Sequence, residues 1–371
     1  MIDIYTIITI VFGSIYAIII LLFTIGWWKT KSNNITVDSN VHSFSIIIPF
    51  YNEEDNILNL LHDIDKLNYP KNKLEVIMIN NESTDNSGNI IRDYIFENDS
   101  EIKLHNSIGG KKDAVWKGIN EADHDYILSI DADCRIPSNI LQEYDKSLQS
   151  KASKMISGPV VFASNKGFWN SFMEFEFMSL VASGAGAIGV KIPIMVNAAN
   201  MLFERKMAHK AEHIFKSEEE SGDDIFLLQY VVKEYGASQV QFLKSRAAII
   251  ETKAPENLSS WINQRLRWTA KAKSYSINAT SLTALVILSY NLLILIMFIY
   301  GFFDIKYLYI SLAAIAFKTI IDIPLLYSSS LFFDKKHIIK FTFFFELFYP
   351  FYIVLIAFAA IFYNGRWKDE A

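Results

Sequence analysis

Residues 126–137 read YILSIDADCRIP, a short apolar run followed by two aspartates, Asp131 and Asp133, with one residue between them. The apolar run indicates a buried β-strand. Because alternate residues of an extended chain point to the same side, we expect the two carboxylates to lie on one side, about 7 Å apart along the chain. Such carboxylates repel each other unless a positive charge lies beside them, and a divalent cation would supply that charge. The alternative is a pair of solvated aspartates in a turn, since a triplet such as DAD recurs by chance.

Three similar apolar runs precede this one, and each is followed by a stretch of helical character. The four runs are FSIIIP (44–49), EVIMIN (75–80), IKLHN (102–106) and YILSI (126–130). Short strands that alternate with helices predict an α/β fold in which a mostly parallel, Rossmann-like sheet carries helices on both faces. In such sheets ligands bind beyond the carboxyl ends of the strands.

Polar and charged residues follow all four predicted strands. PFYNEED (49–55) follows the first, NNESTDNS (80–87) the second, SIGGKKDAV (107–115) the third and the aspartate pair the fourth. We therefore expect the four strand ends to meet in one crevice. Lys111, which follows a pair of glycines, could reach a bound nucleotide there, although two glycines before a helix also form an ordinary turn.

The apolar residues of this 371-residue chain are concentrated in blocks. Hydrophobic residues make up 51% of the sequence, and the uncharged block at residues 4–26 is long enough to cross a hydrocarbon layer about 30 Å thick. Further apolar blocks occupy roughly residues 280–303, 307–333 and 341–363. The sequence thus predicts an N-terminal transmembrane anchor (1–28), a domain at 42–275 and about three transmembrane helices within 280–363.

Basic residues flank these blocks on one side. Lys29 and Lys31, the basic residues of 265–273, and those of 335–340 lie where the positive-inside rule predicts the cytoplasm. We expect an integral protein of the cytoplasmic membrane, with the domain at 42–275 in the cytoplasm. The single cysteine, Cys134, fits a reducing compartment, and a net charge of −5 gives no reason to expect nucleic acid.

Four motifs occur in a defined order: SIIIPFYNEED (45–55), DAD (131–133), SGDDIFLL (221–228) and QRLRW (264–268). Together they make the chain resemble the membrane-bound members of glycosyltransferase family 2, enzymes of GT-A fold such as the cellulose, chitin and hyaluronan synthases. The resemblance covers roughly residues 42–275. It implies an inverting, metal-dependent, hexosyltransferase-type enzyme that moves a sugar from a nucleoside-diphosphate sugar to a lipid or glycan acceptor near the membrane, in cell-envelope glycan synthesis.

The resemblance also implies roles for four aspartates. Asp131 would lie by the nucleotide, and Asp133 would hold Mg²⁺ or Mn²⁺ on the diphosphate, where the metal offsets the charge of the leaving group. Asp224 matches the family's catalytic base, and Asp223 is its neighbour. The alternative for both is a structural role at the start of a helix, where acidic side chains are favourable; the two roles are compatible.

QRLRW places Gln264, Arg267 and Trp268 on one helix face. The resemblance implies that this helix lines the diphosphate and acceptor site, where arginine suits phosphate and tryptophan suits the apolar side of a sugar. The alternative is an amphipathic helix on the membrane surface, with arginines such as Arg265 that extend towards water.

Four residues match the family's first nucleotide-contacting loop: Pro49, Tyr51, Asn52 and Glu53. The sequence departs from the family after the second strand, where two aspartates are usual and this chain has Asn80 and Asn81. An asparagine oxygen still accepts a hydrogen bond from a nucleobase, but the charge is lost. Asn81 is therefore a candidate nucleotide contact, and the base is left open.

Two rival functions follow from particular residues. Asn80 and Asn81 motivate a catalytically inactive, nucleotide-binding membrane regulator. Lys318 and Asp322, four residues apart in an apolar block, motivate a transporter, which would leave the motif set unexplained. Because an unpaired charge costs about 2.5–3.5 kcal/mol in a membrane helix, we expect these two residues to pair.

Four predicted spans favour single or limited sugar addition over processive polymerisation.

Overall fold

The structure is a computed structural model, and it describes residues 3–30, 41–164, 167–216, 222–271 and 278–363. Three residues that take part in the sequence patterns, Lys31, Ser221 and Lys273, lie outside this described part of the chain.

The described residues divide into two units, which we call the sheet unit and the helical unit. The sheet unit contains the described parts of Thr30–Ala163 and Met195–Ala254. The helical unit contains the described parts of Met1–Lys29, Ser164–Ile194 and Pro255–Gly365.

The strands, in chain order, are β1 (Phe44–Phe50), β2 (Leu74–Asn80), β3 (Lys103–Asn106), β4 (Tyr126–Ser129), β5 (Met155–Ser157), β6 (Val160–Phe162), β7 (Met201–Glu204), β8 (Val240–Phe242) and β9 (Ile250–Thr252). The helices are α1 (Ile4–Lys29), α2 (Ile57–Asp65), α3 (Ser87–Asn98), α4 (Lys111–Glu121), α5 (Ile140–Ser150), α6 (Phe168–Gly189), α7 (Arg205–Lys210), α8 (Glu212–Phe215), α9 (Asp223–Tyr235), α10 (Leu258–Ala270), α11 (Ala279–Tyr300), α12 (Ile305–Phe332), α13 (Lys336–Ile339) and α14 (Thr342–Ile361).

The main sheet has the strand order β3-β2-β1-β4-β7-β5-β8. Strand β1 runs parallel to β2 and β4, β2 runs parallel to β3, and β5 runs parallel to β8. Only β7 is antiparallel to its neighbours within this sheet of the described chain. The predicted α/β fold with a mostly parallel sheet is therefore confirmed, and the four predicted strands correspond to β1–β4.

The ends of β1, β2 and β3 lie level with one another. Phe50 pairs with Asn80, and Asn80 pairs with Asn106. Every residue of β1 is buried, as expected for the central strand of a parallel sheet. Helix α4 packs closely on β1, because a Cβ atom on Gly118 would lie 2.5 Å from Cγ2 of Ile47. This packing fixes α4, whose first residue is Lys111, next to the strand ends.

A second, two-stranded sheet pairs β6 with β9 in parallel. Next to it, Arg135 donates its main-chain N–H to the oxygen of Glu251 at 2.7 Å. Strands of three residues carry too few positions for a detectable hydrophobic period, so sequence analysis did not predict β6 or β9.

In the helical unit, α1, α11, α12 and α14 are long and apolar enough to cross a membrane. These helices correspond to the four predicted apolar blocks. Helix α6 is not among them, although its 22 residues are mostly buried. It approaches α1 closely at a pair of glycines: a Cβ atom on Gly26 would lie 1.9 Å from the main-chain oxygen of Gly186.

Three buried charged residues of the helical unit bind one another. The Nζ atom of Lys318 lies 2.7 Å from Oδ2 of Asp322 and also forms an ion pair with Glu346. The hydroxyl of Tyr16 donates to both oxygens of Asp322, at 2.7 and 2.8 Å. The prediction that Lys318 and Asp322 pair is confirmed, and a third charge, Glu346, shares the lysine.

Candidate active site

The two aspartates that follow β4 lie in a turn. Strand β4 ends at Ser129, and the main-chain N–H of Cys134 donates to the oxygen of Asp131 at 3.2 Å. We call residues 131–134 the aspartate turn. The expectation that an extended chain sets the directions of both carboxylates was wrong, because the chain leaves the strand conformation before it reaches Asp131. The turn, together with the groups that bind it, orients the two side chains instead.

Lys111 binds one of these carboxylates. Its Nζ atom lies 2.5 Å from Oδ1 of Asp131, and both side chains are partly exposed. Lys111 therefore joins the chain after β3 to the turn after β4, and its contact with a nucleotide stays a prediction. An ammonium group at the start of α4 also offers a positive charge to an anionic ligand at this edge of the sheet.

Asp133 is held by neutral groups. Its Oδ2 atom accepts a hydrogen bond of 2.8 Å from the hydroxyl of Thr252, and its Oδ1 atom lies 3.6 Å from Sγ of Cys134. Burial raises the pKa of Asp133, and the charge of Asp131 raises it further. Thus Lys111 compensates the charge of Asp131, whereas the carboxylate of Asp133 has a hydroxyl and a thiol as its side-chain donors.

A third carboxylate, Glu53, belongs to the same electrostatic cluster. The pKa of Glu53 is raised to about 7, mainly because the carboxyl group is buried. The hydrogen bond from Asn56 lowers this pKa, and the charges of Asp133 and Asp131 raise it. The three carboxylates thus interact with one another and with the single ammonium of Lys111. Excess negative charge of this kind favours binding of a cation.

The donor set fits Mg²⁺ or Mn²⁺. Both ions prefer oxygen ligands, and Mg²⁺ in particular is bound by one or two carboxylates while its other positions hold water or phosphate. Among the described residues no group of three or more His, Cys, Asp or Glu side chains is placed to hold a metal ion. Asp133 and Asp131 are the residues that would hold such an ion.

The loops that follow β1 and β2 are bound to each other. Asn52 has a positive φ of 53°, and its side-chain oxygen accepts a hydrogen bond of 2.8 Å from the main chain of Thr84. The main-chain N–H of Glu53 donates to the hydroxyl of Ser87 at 2.8 Å. Asn52 thus has a structural role at the strand ends. Tyr51 follows β1 directly, and Pro49 lies within it.

The two asparagines that replace the family's aspartates have different surroundings. The side-chain oxygen of Asn80 accepts a hydrogen bond of 2.9 Å from the main chain of Ser83. Asn81 is 0% exposed, and its side-chain oxygen and nitrogen have no hydrogen-bond partner among the described residues. An unsatisfied buried amide costs about 1–3 kcal/mol. Contact between Asn81 and a nucleotide stays a prediction, and in this conformation the side chain is closed off from solvent.

Asp223 and Asp224 form the first turn of α9. The preceding Gly222 has a φ of 100°, which lets the chain turn sharply into the helix. Asp223 is buried, and Asp224 is partly exposed. The ring of Phe226, in the next turn, lies 5.3 Å from Nζ of Lys112. Helix α9 is therefore joined to α4, the helix whose first residue binds Asp131.

The residues of QRLRW lie on α10, in the helical unit. Arg265 is 3% exposed, and its guanidinium lies 4.2 Å from the ring of Trp268. It also forms an ion pair of 2.6 Å with Glu176. The alternative of arginines that extend to water is thus wrong for Arg265. The structure places Gln264, Arg267 and Trp268 in the helical unit and all other predicted site residues in the sheet unit.

Thr252 is a site residue that sequence analysis missed. It lies 119 positions after Asp133, in a strand of three residues. Asp63 is another, because its carboxylate accepts hydrogen bonds of 2.6 and 2.8 Å from Arg135, which follows the aspartate turn. No local motif marks either residue. The signal that could have found them is the pairing of β9 with the chain near Arg135.

Comparison with known proteins shows that part of this chain is similar to glycosyltransferases. Residues 45–210 match the model of glycosyl transferase family 2. A probable glycosyltransferase of Sulfolobus acidocaldarius is 29% identical over 191 residues, which are 50% of this chain and 38% of that protein. The poly-beta-1,6-N-acetyl-D-glucosamine synthase of Staphylococcus epidermidis is 27% identical over 158 residues, 40% of this chain and 37% of that protein. The matched region thus spans less than half the length of either relative.

A solved structure matches most of the chain. The mannosyltransferase PcManGT from Pyrobaculum calidifontis, in complex with GDP-Man and Mn²⁺, aligns with a TM-score of 0.59 and 16% identity over 96% of this chain and 99% of that one. At this identity the likeness shows the fold. The sheet and this match show a GT-A fold, and residues 45–210 are similar to glycosyl transferase family 2. The family match covers less than half of the chain, and the four long apolar helices fit a membrane-bound member of that family.

Proposed function

We propose that the protein is an inverting, metal-dependent glycosyltransferase that moves a sugar from a nucleoside-diphosphate sugar to a lipid-linked saccharide or a polysaccharide at the membrane. The observation that carries this proposal is the cluster of Glu53, Lys111, Asp131 and Asp133 beyond adjacent strand ends. Three carboxylates with one ammonium group suit a divalent cation together with a diphosphate.

The donor would bind with its diphosphate at this cluster. Asp133 and Asp131 would hold Mg²⁺ or Mn²⁺, and the ion, when bound, supplies positive charge to the leaving diphosphate. The ammonium of Lys111 adds a second positive charge at the same edge of the sheet. Support for this donor class comes from the solved mannosyltransferase of the same fold, whose structure contains GDP-Man and Mn²⁺.

Asp224 would act as the general base. Its carboxylate takes the proton of the acceptor hydroxyl while the hydroxyl oxygen forms a bond to the anomeric carbon. The bond from that carbon to the diphosphate breaks on the opposite face, so the anomeric centre is inverted and the nucleoside diphosphate leaves. A positioned general base typically contributes about 10²- to 10⁴-fold in rate.

Further contacts to the donor and acceptor are proposed for residues that the family motifs single out: Pro49, Tyr51, Asn52, Asn81, Gln264, Arg267 and Trp268. In the helical unit, the contact of Arg265 with Trp268 supports a fixed orientation for the tryptophan ring. An indole face held in this way suits the apolar side of a sugar.

The proposed location is the cytoplasmic membrane, with the catalytic domain in the cytoplasm. Four helices of sufficient length and apolarity support membrane insertion, and the flanking lysines and arginines support this orientation. The proposed domains are the anchor at 1–28, the catalytic domain at 42–275 and the C-terminal membrane helices at 280–363. The limited number of spans favours single or limited sugar addition.

The test uses the full-length protein, purified in detergent or nanodiscs and supplied with a panel of nucleotide sugars and membrane lipid extract. Released nucleoside diphosphate is measured with Mn²⁺, with Mg²⁺ and with a chelator, and the product is identified by mass spectrometry. We expect metal-dependent transfer that is abolished by Asp133→Asn and by Asp224→Asn. The control Asp93→Asn changes an exposed aspartate on α3 and should keep full activity.

Transfer that persists in both site variants would show that other residues perform the chemistry. Tight nucleotide binding with no transfer to any acceptor would instead favour the inactive regulator, for which the departure at Asn80 and Asn81 is the motivation. Calorimetry with nucleoside diphosphates separates these outcomes, because it measures binding without turnover.

A further inference from the structure

The hydroxyl of Thr252 is bound to a carboxylate of the proposed metal site. Its Oγ1 atom donates to Oδ2 of Asp133 at 2.8 Å. Thr252 is the last residue of β9, and its own main chain is fixed: it pairs with Phe162 of β6, and its oxygen accepts a hydrogen bond of 2.9 Å from Ala163. The main chain that carries this hydroxyl is therefore fixed by its pairing with β6.

The same strand holds the chain that follows Asp133. Arg135 and Glu251 exchange two main-chain hydrogen bonds, of 2.7 and 3.3 Å. The side chain of Arg135 binds Asp63 on α2. Consequently β9 contacts the aspartate turn twice, once at the main chain of Arg135 and once at the carboxylate of Asp133. The main-chain contacts do not depend on the side chain at position 252, so that side chain can be changed with the strand pairing retained.

The two aspartates of the turn differ in what binds them. Asp131 faces the ammonium of Lys111, which compensates its charge. Asp133 accepts from an uncharged hydroxyl, which restricts its orientation without adding a positive charge. A carboxylate that binds a metal through one oxygen is commonly held by a hydrogen bond to the other, and this bond fixes its orientation.

We propose that Thr252 is a positioning residue for Asp133: its hydroxyl holds the carboxylate in one orientation for binding of the divalent cation. This inference rests on the proposed metal dependence and concerns a residue outside the four family motifs of this chain. A purely structural role at the end of a strand would be served equally well by valine, which has nearly the same shape and a high preference for strands. The hydroxyl is therefore the group to test.

The experiment compares Thr252→Val, which removes the hydroxyl, with Thr252→Ser, which keeps it. Binding of Mn²⁺ to the full-length protein is measured by electron paramagnetic resonance of the free ion, in the presence of a nucleoside diphosphate. We expect Thr252→Val to weaken Mn²⁺ binding about 10- to 100-fold, the usual effect of removing a partner of a metal ligand. Thr252→Ser should keep the affinity of the wild type. A control, Thr319→Val, removes a hydroxyl that binds a main-chain oxygen in α12 and should leave Mn²⁺ binding unchanged.

A double-mutant cycle with Asp133→Asn tests whether Thr252 acts through Asp133. If it does, Thr252→Val has no further effect on Mn²⁺ binding once Asp133 is changed, because residues in direct contact are not additive. In steady-state kinetics, Thr252→Val should raise the Mn²⁺ concentration needed for half-maximal rate and recover most of kcat at saturating Mn²⁺. Should Thr252→Val fail to fold, Thr252→Ala removes the same hydroxyl with a smaller side chain and carries the same expectation.

The outcomes separate this inference from the function on which it rests. A wild-type protein that binds no Mn²⁺ overturns both the metal dependence and the role of Thr252. Wild-type binding with an unchanged affinity in a folded Thr252→Val variant overturns only the positioning role. Equal losses in Thr252→Val and Thr252→Ser also overturn it, because the serine hydroxyl should substitute for that of threonine.

Discussion

The Nζ atom of Lys111 lies 2.5 Å from Oδ1 of Asp131. This contact joins the first residue of α4 to the turn that follows β4, so it connects two of the strand-end loops. It also makes the two aspartates of the turn unequal, because Asp131 accepts a hydrogen bond from an ammonium group and Asp133 accepts one from a hydroxyl. The ammonium of Lys111 thus holds the turn and is available to a diphosphate at the same edge of the sheet.

The first prediction concerns this lysine. Lys111→Met should raise KM for the donor about 10- to 100-fold, because a hydrogen bond to a charged group contributes about 1.5–3 kcal/mol. Steady-state kinetics over a range of donor concentrations measure the effect. Lys117→Met is the matched control on the same helix, since Lys117 pairs with Glu121 at the surface and such pairs contribute little. Equal KM values for the two variants would remove Lys111 from the donor site.

The second prediction concerns Asp63 and pH. Burial alone would raise the pKa of Asp63, but the hydrogen bonds from Arg135 and from the main chain of Ile136 outweigh burial and lower it. A lowered pKa in the folded state contributes stability above the unfolded pKa of about 3.9, and this stability is lost as the pH falls through the folded pKa. Asp63→Asn should therefore destabilise the protein at pH 7 by about 1 kcal/mol, a low value because Arg135 is half exposed.

Thermal unfolding of the wild type and Asp63→Asn between pH 7 and pH 3 checks this prediction. The difference in melting temperature should be largest at neutral pH and should begin to shrink below about pH 4, where the carboxylate of the unfolded chain takes up a proton; it should disappear as the pH falls through the lowered pKa of the folded state. Asp65→Asn, at the end of the same helix, provides a comparison. A difference that stays constant over the whole range would contradict the role of the Asp63 charge.

The third prediction concerns the buried ion cluster of the helical unit. Lys318→Met should lower the free energy of unfolding by about 3–5 kcal/mol, because it leaves Asp322 and Glu346 buried without their shared cation. Glu346→Gln should cost less, since Lys318 and Asp322 still compensate each other. Unfolding in detergent, followed by circular dichroism, measures both. Lys306→Met, which breaks the exposed pair with Asp3, should be nearly neutral, and an equal effect of Lys306→Met and Lys318→Met would count against the prediction.

The fourth prediction concerns the contact between α1 and α6. Gly26→Ala should destabilise the helical unit by about 1–3 kcal/mol, because its Cβ atom would lie 1.9 Å from a main-chain oxygen that cannot move alone. Gly13→Ala is the matched control on the same helix, since its Cβ atom would lie 3.1 Å from the side chain of Tyr290. Melting temperatures in detergent compare the two variants, and a tolerated Gly26→Ala would show that the helices can separate at no cost.

Much of the main sheet could be predicted, because the relevant information is local. Each of β1–β4 is marked by its own apolar residues and by the turn residues that follow it. Parallel strands joined by helices bring their carboxyl ends to one edge, so the sequence also indicated that the loops carrying Lys111 and Asp131 lie near each other. The four long apolar helices were predictable for the same reason, since length and apolarity are properties of one continuous segment.

The partners of individual side chains could not be predicted. Asp133 binds a threonine 119 positions away, and Arg265 is buried against Glu176 although the sequence suggested an exposed helix face. The side-chain oxygen of Asn52, whose contact with a nucleotide stays a prediction, binds the loop after β2. In each case the partner belongs to a distant segment, and no local period or motif encodes which distant segment will be adjacent.

The sequence by itself therefore determined the class of this protein: its α/β sheet, its apolar helices and the carboxylates and lysine at the strand ends. These features depend on periodicity and on short motifs, which act within a few residues of one another. Only the tertiary structure decided how the aspartate turn is held, because the short strand β9 gains its position by pairing with β6 and Arg135. Such pairing forms only when segments far apart in the chain pack together. The hydrogen bond between Thr252 and Asp133 therefore depends on the folded protein.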